Sequence, residues 1–386
     1  MRRHIFIYGF SIFSMFFGSG NLVFPLEIGV DSGSHWFIGF LGLFLTGVLL
    51  PFCGLFVIKL YKGSYKAFFA EAGTAGGILL PLFTLSLLGS FGVVPRCITV
   101  AHGGIGYIFP QIPLIVFSLI FCGICFLICL RDQWMISILG KWLTPILLVC
   151  LCFLIGLGIL KAPDINLELI PPVTSFTSGF LRGYETMDLF AAFFFSSLIF
   201  RQIQLLVPFP EDHRSIIKIA LKPSLIGAGL LAIIYMGFVF LGAYYKPIAT
   251  GVAPELILPT IATHLMGKKA ALLIGIIMTF SCLTTAVALN NIYARYLCSY
   301  LKAGERWFPG ILVMTTSISF CVSLLDFKGI SAFLSPALEL SYPSLIILTF
   351  LSIFLTGFRR LKIFLFYGVI IGMIGYKYLM VYSHSQ

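Results

Sequence analysis

Along most of the chain, apolar positions do not alternate with polar ones. They run together for about 20 residues at a time, the length of a helix crossing roughly 30 Å of hydrocarbon. These runs predict spans near 5–26, 37–60, 78–100, 113–130, 143–160, 179–200, 216–244, 270–294, 307–325, 330–355 and 362–381. The tenth is interrupted by Pro336, Glu339 and Pro343, and reads either as one helix or as a short segment plus a second helix. Strands of a β-barrel would alternate and carry far more polar residues, so helices are the only spanning element left. The pattern therefore predicts an all-α polytopic membrane protein, a single transmembrane domain over residues 1–386 with about eleven helices.

Composition agrees. Hydrophobic residues make up 59% of the chain and charged ones 10%, too few to cover a soluble surface, which carries about 25%. Mean hydropathy is +1.06. The N-terminal pattern of Arg2-Arg3, an apolar run and Gly18-Ser19-Gly20 resembles a secretory leader. The apolar run continues through Leu22, Val23 and Phe24, which favours a first span instead.

The net charge of +11 does not point to nucleic acid, because the basic residues sit at the ends of spans and not on one face. With the N-terminus inside, 17 Lys and Arg fall in cytoplasmic segments and 6 outside, with Arg96 and Arg182 in or beside spans. That bias predicts a cytoplasmic N-terminus. The ten Cys and six His are dispersed, so no metal cluster is expected, and Cys122-Gly-Ile-Cys125 reads as small apolar packing. No HExxH or comparable catalytic constellation and no continuous polar pore is visible, which argues against an enzyme or a channel.

Two spans carry a break. In the first, Gly18-Ser19-Gly20-Asn21 lowers helix propensity and Pro25 removes a backbone donor. Unwound backbone at membrane depth is tolerated where it lines a cavity or is buried in protein. Freed amides there favour a carboxylate and freed carbonyls a cation. The alternative is a small-residue face that lets helices approach closely. The sixth span opens on Gly183-Tyr184-Glu185-Thr186-Met187-Asp188, where two carboxylates lie close to an apolar stretch. The plainer reading there is an interfacial loop with Arg182 paired to Glu185. The first break begins one group of five spans and the second begins the next, and because five is odd the second group is inverted. The repeats would cover about 5–161 and 179–357, followed by a C-terminal helix at about 362–381. In the eighth span Ser281, Thr284 and Thr285 share one face at i, i+3 and i+4, a set of hard oxygens suited to a small cation.

Met15-Phe-Phe-Gly-Ser-Gly-Asn-Leu-Val-Phe-Pro25, Pro95-Arg96 with Thr99-Val100, Gly140-Lys-Trp-Leu-Thr-Pro-Ile-Leu-Leu148, Gly183-Tyr-x-Thr-Met-Asp188 and Cys282-Leu-Thr-Thr-Ala286 together resemble the branched-chain amino acid:cation symporters. The likeness runs in order from the first span to about the eighth and fades beyond Lys302. It implies sodium-coupled import of Leu, Ile and Val across a bacterial cytoplasmic membrane, on the five-plus-five inverted-repeat fold of the leucine transporter. It further implies that Gly18, Ser19 and Gly20 hold the substrate carboxylate and that the backbone of Tyr184–Met187 receives the amino group. Carbonyls of Ser14 and Phe17, with Ser281, Thr284 and Thr285, would hold sodium, and Asn21 would sit beside cation or substrate. Glu185 stands where that family usually has an apolar residue, and His102 where an acid is expected. The alternative these departures raise is a proton-coupled carrier of another small or cationic amino acid. No organic cofactor is implied, and the oligomeric state is open.

Overall fold

The computed structural model describes residues 2–130, 144–206, 213–355 and 357–384. Arg131, Lys141 and the first four residues of the Gly140–Leu148 motif lie outside them. The described residues are helical wherever they are regular, as lipid demands of any backbone that must satisfy its own polar groups. Six helical segments among them are long and apolar enough to cross a membrane, and Leu114–Cys129, Pro145–Leu160 and Asp188–Phe200 are shorter apolar helices.

The first span is two half-helices, α1 (Arg2–Phe16) and α2 (Ser19–Ser32). The second is α3 (Trp36–Phe44) and α4 (Leu50–Leu60), joined by a π-helical turn at Leu45–Leu49. The predicted third span is also divided, into α5 (Gly76–Leu88) and α6 (Val93–Gly106), because Gly89 and Gly92 take non-helical conformations at the two ends of one turn, 89–92. Then follow α7 (Leu114–Cys129), α8 (Thr144–Leu160), and a second broken pair, α9 (Pro172–Glu185) and α10 (Asp188–Leu206). The remaining helices of ten residues or more are α11 (His213–Tyr244), α12 (Ile257–Met266), α13 (Lys268–Tyr300), α14 (Phe308–Ser323), α15 (Asp326–Phe354) and α16 (Arg359–His384). α12 was not expected from the pattern; its Pro259 and its brevity hid it among loop signals. Conversely, Pro336 and Pro343 do not divide α15, although each removes a backbone donor and so leaves the carbonyls of Ala332 and Glu339 without their usual partners.

These helices pack as two bodies. One gathers both broken pairs, α1/α2 and α9/α10, with α3, α4 and α11; the other joins α5, α6 and α7 to α13 and α14. The bodies meet where α1 touches α13 and α2 touches α6, while α15 touches α4 and α9 on one side and α6 on the other. Small residues set the closest approaches. A methyl group at Gly179 of α9 would overlap the Gly39 carbonyl of α3, and one at Gly275 of α13 would overlap the Gly104 carbonyl of α6. Backbone cannot yield as a side chain does, so Gly179→Val is expected to destabilise the protein by about 3 kcal/mol. Thermal unfolding in detergent measures it; an unchanged midpoint would mean that α3 and α9 separate there at no cost.

The outer surface is apolar, with Leu160, Val149, Phe364 and Tyr378 all largely exposed, as suits a protein solvated by hydrocarbon. Two lysines at the ends of predicted spans are packed inside. Lys59 is 2% exposed and donates to Ser224 Oγ at 2.6 Å. Lys362 pairs with Glu71 at 2.9 Å and reaches the Tyr61 hydroxyl. Their long aliphatic stems let them lie against apolar neighbours while the ammonium finds oxygens.

Candidate substrate and ion site

The α-helical ladder of α1 fails at Phe17-Gly18. Gly18 is extended (φ −116°, ψ −153°), its N–H turns to the Phe16 carbonyl at 2.8 Å in place of an i−4 partner, and α2 restarts at Ser19. The interruption thus sits slightly before the predicted Gly18–Asn21. The reason is Asn21, whose Oδ1 reaches back to accept from Gly18 N at 3.3 Å, half of a capping box that makes Ser19–Asn21 a first helical turn.

The second break is narrower than the predicted Gly183–Asp188 and comprises Thr186-Met187. Met187 is left-handed at φ 59° and fully buried. A non-glycine residue held there costs on the order of 1–3 kcal/mol and persists because its surroundings fix it. Thr186 Oγ1 donates to the Gly183 carbonyl at 2.9 Å and accepts from Asp188 N at 3.4 Å, which caps α10. The plainer expectation of an Arg182–Glu185 pair is corrected. Arg182 instead bonds Glu27 at 2.8 Å and Asp31 at 3.4 Å, locking α9 to α2, because those acids lie on the facing helix.

One polar cluster ties the breaks together. Asn21 Nδ2 donates to Asp188 Oδ2 at 2.8 Å and also bonds the Tyr235 hydroxyl, which in turn donates to Asp188 Oδ2 at 3.0 Å. All three side chains are buried. Asp188 is the first residue of α10, where free amides and the helix dipole favour a carboxylate. Gly18, Gly20, Asn21, Thr186, Asp188 and Thr285 share the walls of one small cavity of ≈ 10 Å³. That is room for about one water.

The predicted cation residues are partly assembled. Ser281 Oγ donates to the Phe17 carbonyl at 2.6 Å, joining the carbonyl end of α1 to α13. Thr285 Oγ1 is buried without a partner, and its side chain fills the space in front of Gly18. Thr284 turns its hydroxyl back to the Ser281 carbonyl at 2.7 Å, and Ser14 lies one turn earlier on α1. Ser19 Oγ is likewise buried and unpartnered.

Other predicted residues are elsewhere. Gly183 packs against Thr46, and Tyr184 stacks on Tyr342 at 4.7 Å. Glu185 lies beside Arg182 on a separate open cleft of ≈ 430 Å³, opposite Ser331 and Ser335 of α15. His102 bonds the Ile112 carbonyl at 2.9 Å and packs on Phe117, a structural setting. Three residues near the breaks were not foreseen as site residues: Tyr235, Tyr342 and Arg96. Arg96 and Tyr235 are polar groups inside apolar runs, the signal that could have found them, whereas Tyr342 stands among Glu339, Ser341 and Ser344 and carries no such signal.

A family described as "Branched-chain amino acid transport protein" matches residues 1–378. The chain belongs to that family. It is a family of transporters, not enzymes, so the chain is a membrane transport protein of the branched-chain amino acid class. It is 28% identical over 375 residues to the branched-chain amino acid permease BrnQ of Corynebacterium glutamicum, covering 95% of this chain and 85% of that one. A putative branched-chain amino acid carrier protein of Staphylococcus aureus is 28% identical over 364 residues, 89% of this chain and 80% of its own length. In fold the chain is similar to Mhp1, a nucleobase-cation-symport-1 family transporter solved closed with bromovinylhydantoin bound (TM-score 0.62, 14% identity, 89% of this chain and 77% of that one). It is also similar to MhsT in complex with L-phenylalanine (TM-score 0.59, 15% identity, 95% and 96%). These likenesses establish the transporter fold expected from the broken helices.

Proposed function

We propose that the protein imports Leu, Ile and Val together with sodium across a bacterial cytoplasmic membrane by alternating access, with its N-terminus in the cytoplasm. The observation that carries this reading is the facing of two helix ends. The carbonyl end of α1 at Phe17 meets the hydroxyls of Ser281 and Thr285, while the amide end of α2 lies beside Thr186 and Asp188. Carbonyl ends attract cations and amide ends attract carboxylates. Ser14, Phe17, Ser281, Thr284 and Thr285 are the proposed sodium ligands. Gly18, Ser19, Gly20 and Asn21, together with the stretch from Gly183 to Asp188, are the proposed surroundings of the amino acid. Asp188 supplies negative charge for its ammonium.

A cavity of ≈ 10 Å³ is far smaller than leucine, so admission requires the two bodies to move apart. In this reading the Arg182–Glu185 cleft opens outward, and the body holding both broken pairs rocks against the other. One charge moved inward at 100 mV contributes about 2.3 kcal/mol. Labelled leucine uptake into proteoliposomes tests the reading: an inward sodium gradient is expected to raise initial uptake at least about tenfold over a potassium control. Uptake indifferent to sodium sinks the coupling.

A second reading is favoured by two acids, Asp188 buried between the breaks and Glu185 on the cleft. It is proton-coupled transport of another small or cationic amino acid. A pH jump in sodium-free medium discriminates, since only this second reading gives uptake there.

A further inference from the structure

Pro95-Arg96, one of the sequence signatures, has no role in the reading above. Arg96 lies in α6 and is 0% exposed. One terminal nitrogen donates to the Glu185 carbonyl at 2.7 Å, and the guanidinium lies over the Phe24 ring at 5.4 Å. Its other two nitrogens, Nε and NH2, are buried with no hydrogen-bond partner. A guanidinium keeps its charge in proteins, and a buried charge without a counter-ion is strongly unfavourable.

Glu185 and Asp188 lie within electrostatic reach of it, but neither is paired to it. No ion pair among the described residues includes Arg96. Asp188 Oδ2 is already engaged by Asn21 and Tyr235, and Glu185 lies on the open cleft beside Arg182. A second orphan is close by. The Tyr342 hydroxyl is fully buried beside the Leu189 backbone, its O–H has no acceptor, its ring stacks on Tyr184 at 4.7 Å and on Phe190 at 4.5 Å, and it lies within electrostatic reach of Arg96. Two free guanidinium nitrogens and one free hydroxyl form a set of donors lacking an anion. The amide end of α2 is less available, since Gly18 N is held by Asn21 and Gly20 is closed in by Thr186 and Phe24.

We propose that Arg96, assisted by the Tyr342 hydroxyl, is an anion subsite that takes the α-carboxylate of the amino-acid substrate. It rests on the transport reading and moves the carboxylate from the amide end of α2 to Arg96. The carboxylate binds above the breaks, between α6 and α15, while the ammonium points toward Asp188. Planar guanidinium and planar carboxylate match in geometry, which a lysine at the same place would not reproduce.

The test measures Kd for leucine and for leucinamide, which lacks the carboxylate, by calorimetry on purified protein in sodium. The wild type is expected to favour leucine on the order of 100-fold. Arg96→Gln removes that preference to within about threefold while leaving the leucinamide Kd in place. Tyr342→Phe keeps the stacked ring and lowers the preference several-fold, so the question stays answerable if Arg96→Gln does not fold. A merely structural Arg96, capping the end of α9, would weaken both ligands alike, and that result overturns the subsite. So does an undiminished preference in either variant, including the case in which Glu185 turns inward to neutralise Arg96. A wild-type protein that binds no branched-chain amino acid overturns the transport reading itself, and the subsite with it.

Discussion

Asp188→Asn is expected to reduce sodium-driven leucine uptake on the order of 100-fold while leaving a folded protein. The side chain sits at the start of α10 and accepts from both Asn21 and Tyr235 through Oδ2. Asparagine has the same shape and can turn its oxygen to those donors, so the cluster linking α2, α10 and α11 survives in weakened form. What disappears is the charge. Hydrogen bonds to a charged group contribute about 1.5–3 kcal/mol each, roughly twice a neutral one, and the attraction for a bound cation is lost as well. Initial uptake rates, read beside the thermal unfolding midpoint, check the prediction. Uptake within about threefold of wild type would reduce Asp188 to a structural acceptor.

The second large effect falls on the cation. In a Ser281→Ala, Thr285→Val double variant, the sodium concentration for half-maximal uptake should rise at least about tenfold, with the order of preference among Leu, Ile and Val unchanged. Ser281 is bonded to the Phe17 carbonyl at 2.6 Å, so it both offers an oxygen and holds the carbonyl end of α1 against α13. Thr285 Oγ1 is a buried oxygen with no partner, and valine replaces it with nearly the same volume. A tenfold change corresponds to about 1.4 kcal/mol, modest for the removal of two hard ligands. A sodium dependence that stays fixed while amino-acid preference changes would move these hydroxyls from the cation to the substrate.

The spans were legible because lipid leaves the chain no choice but long apolar runs. The breaks were legible because glycines and acids are expensive inside such runs. Their fine structure was not. Asn21 resumes the helix by capping Gly18, a side-chain choice that composition does not announce. Met187 takes a left-handed conformation that no residue-type signal predicts, since methionine has no preference for it. Tyr235 reaches Asn21 across 214 residues of chain, and Tyr342 reaches Tyr184 from another helix. Arg96 could be seen as a charge within a span. That its partner is a single carbonyl, with two nitrogens left over, is a tertiary fact. The prolines of α15 left one helix or two open, and packing on both bodies decides for one, holding it together through two missing bonds.

Those two missing bonds also have a mechanical meaning. A helix is stiff in proportion to its ladder, and α15 lacks a rung on either side of the turn that carries Tyr342. The segment before Pro336 walls the open cleft through Ser331, Ala332 and Ser335; the segment after Pro343 does not. α15 is therefore least stiff around Tyr342, between the segment that lines the cleft and the segment that does not. Bending at that place would tilt the cleft wall and loosen the tyrosine stack together, as one rod with a single weak point.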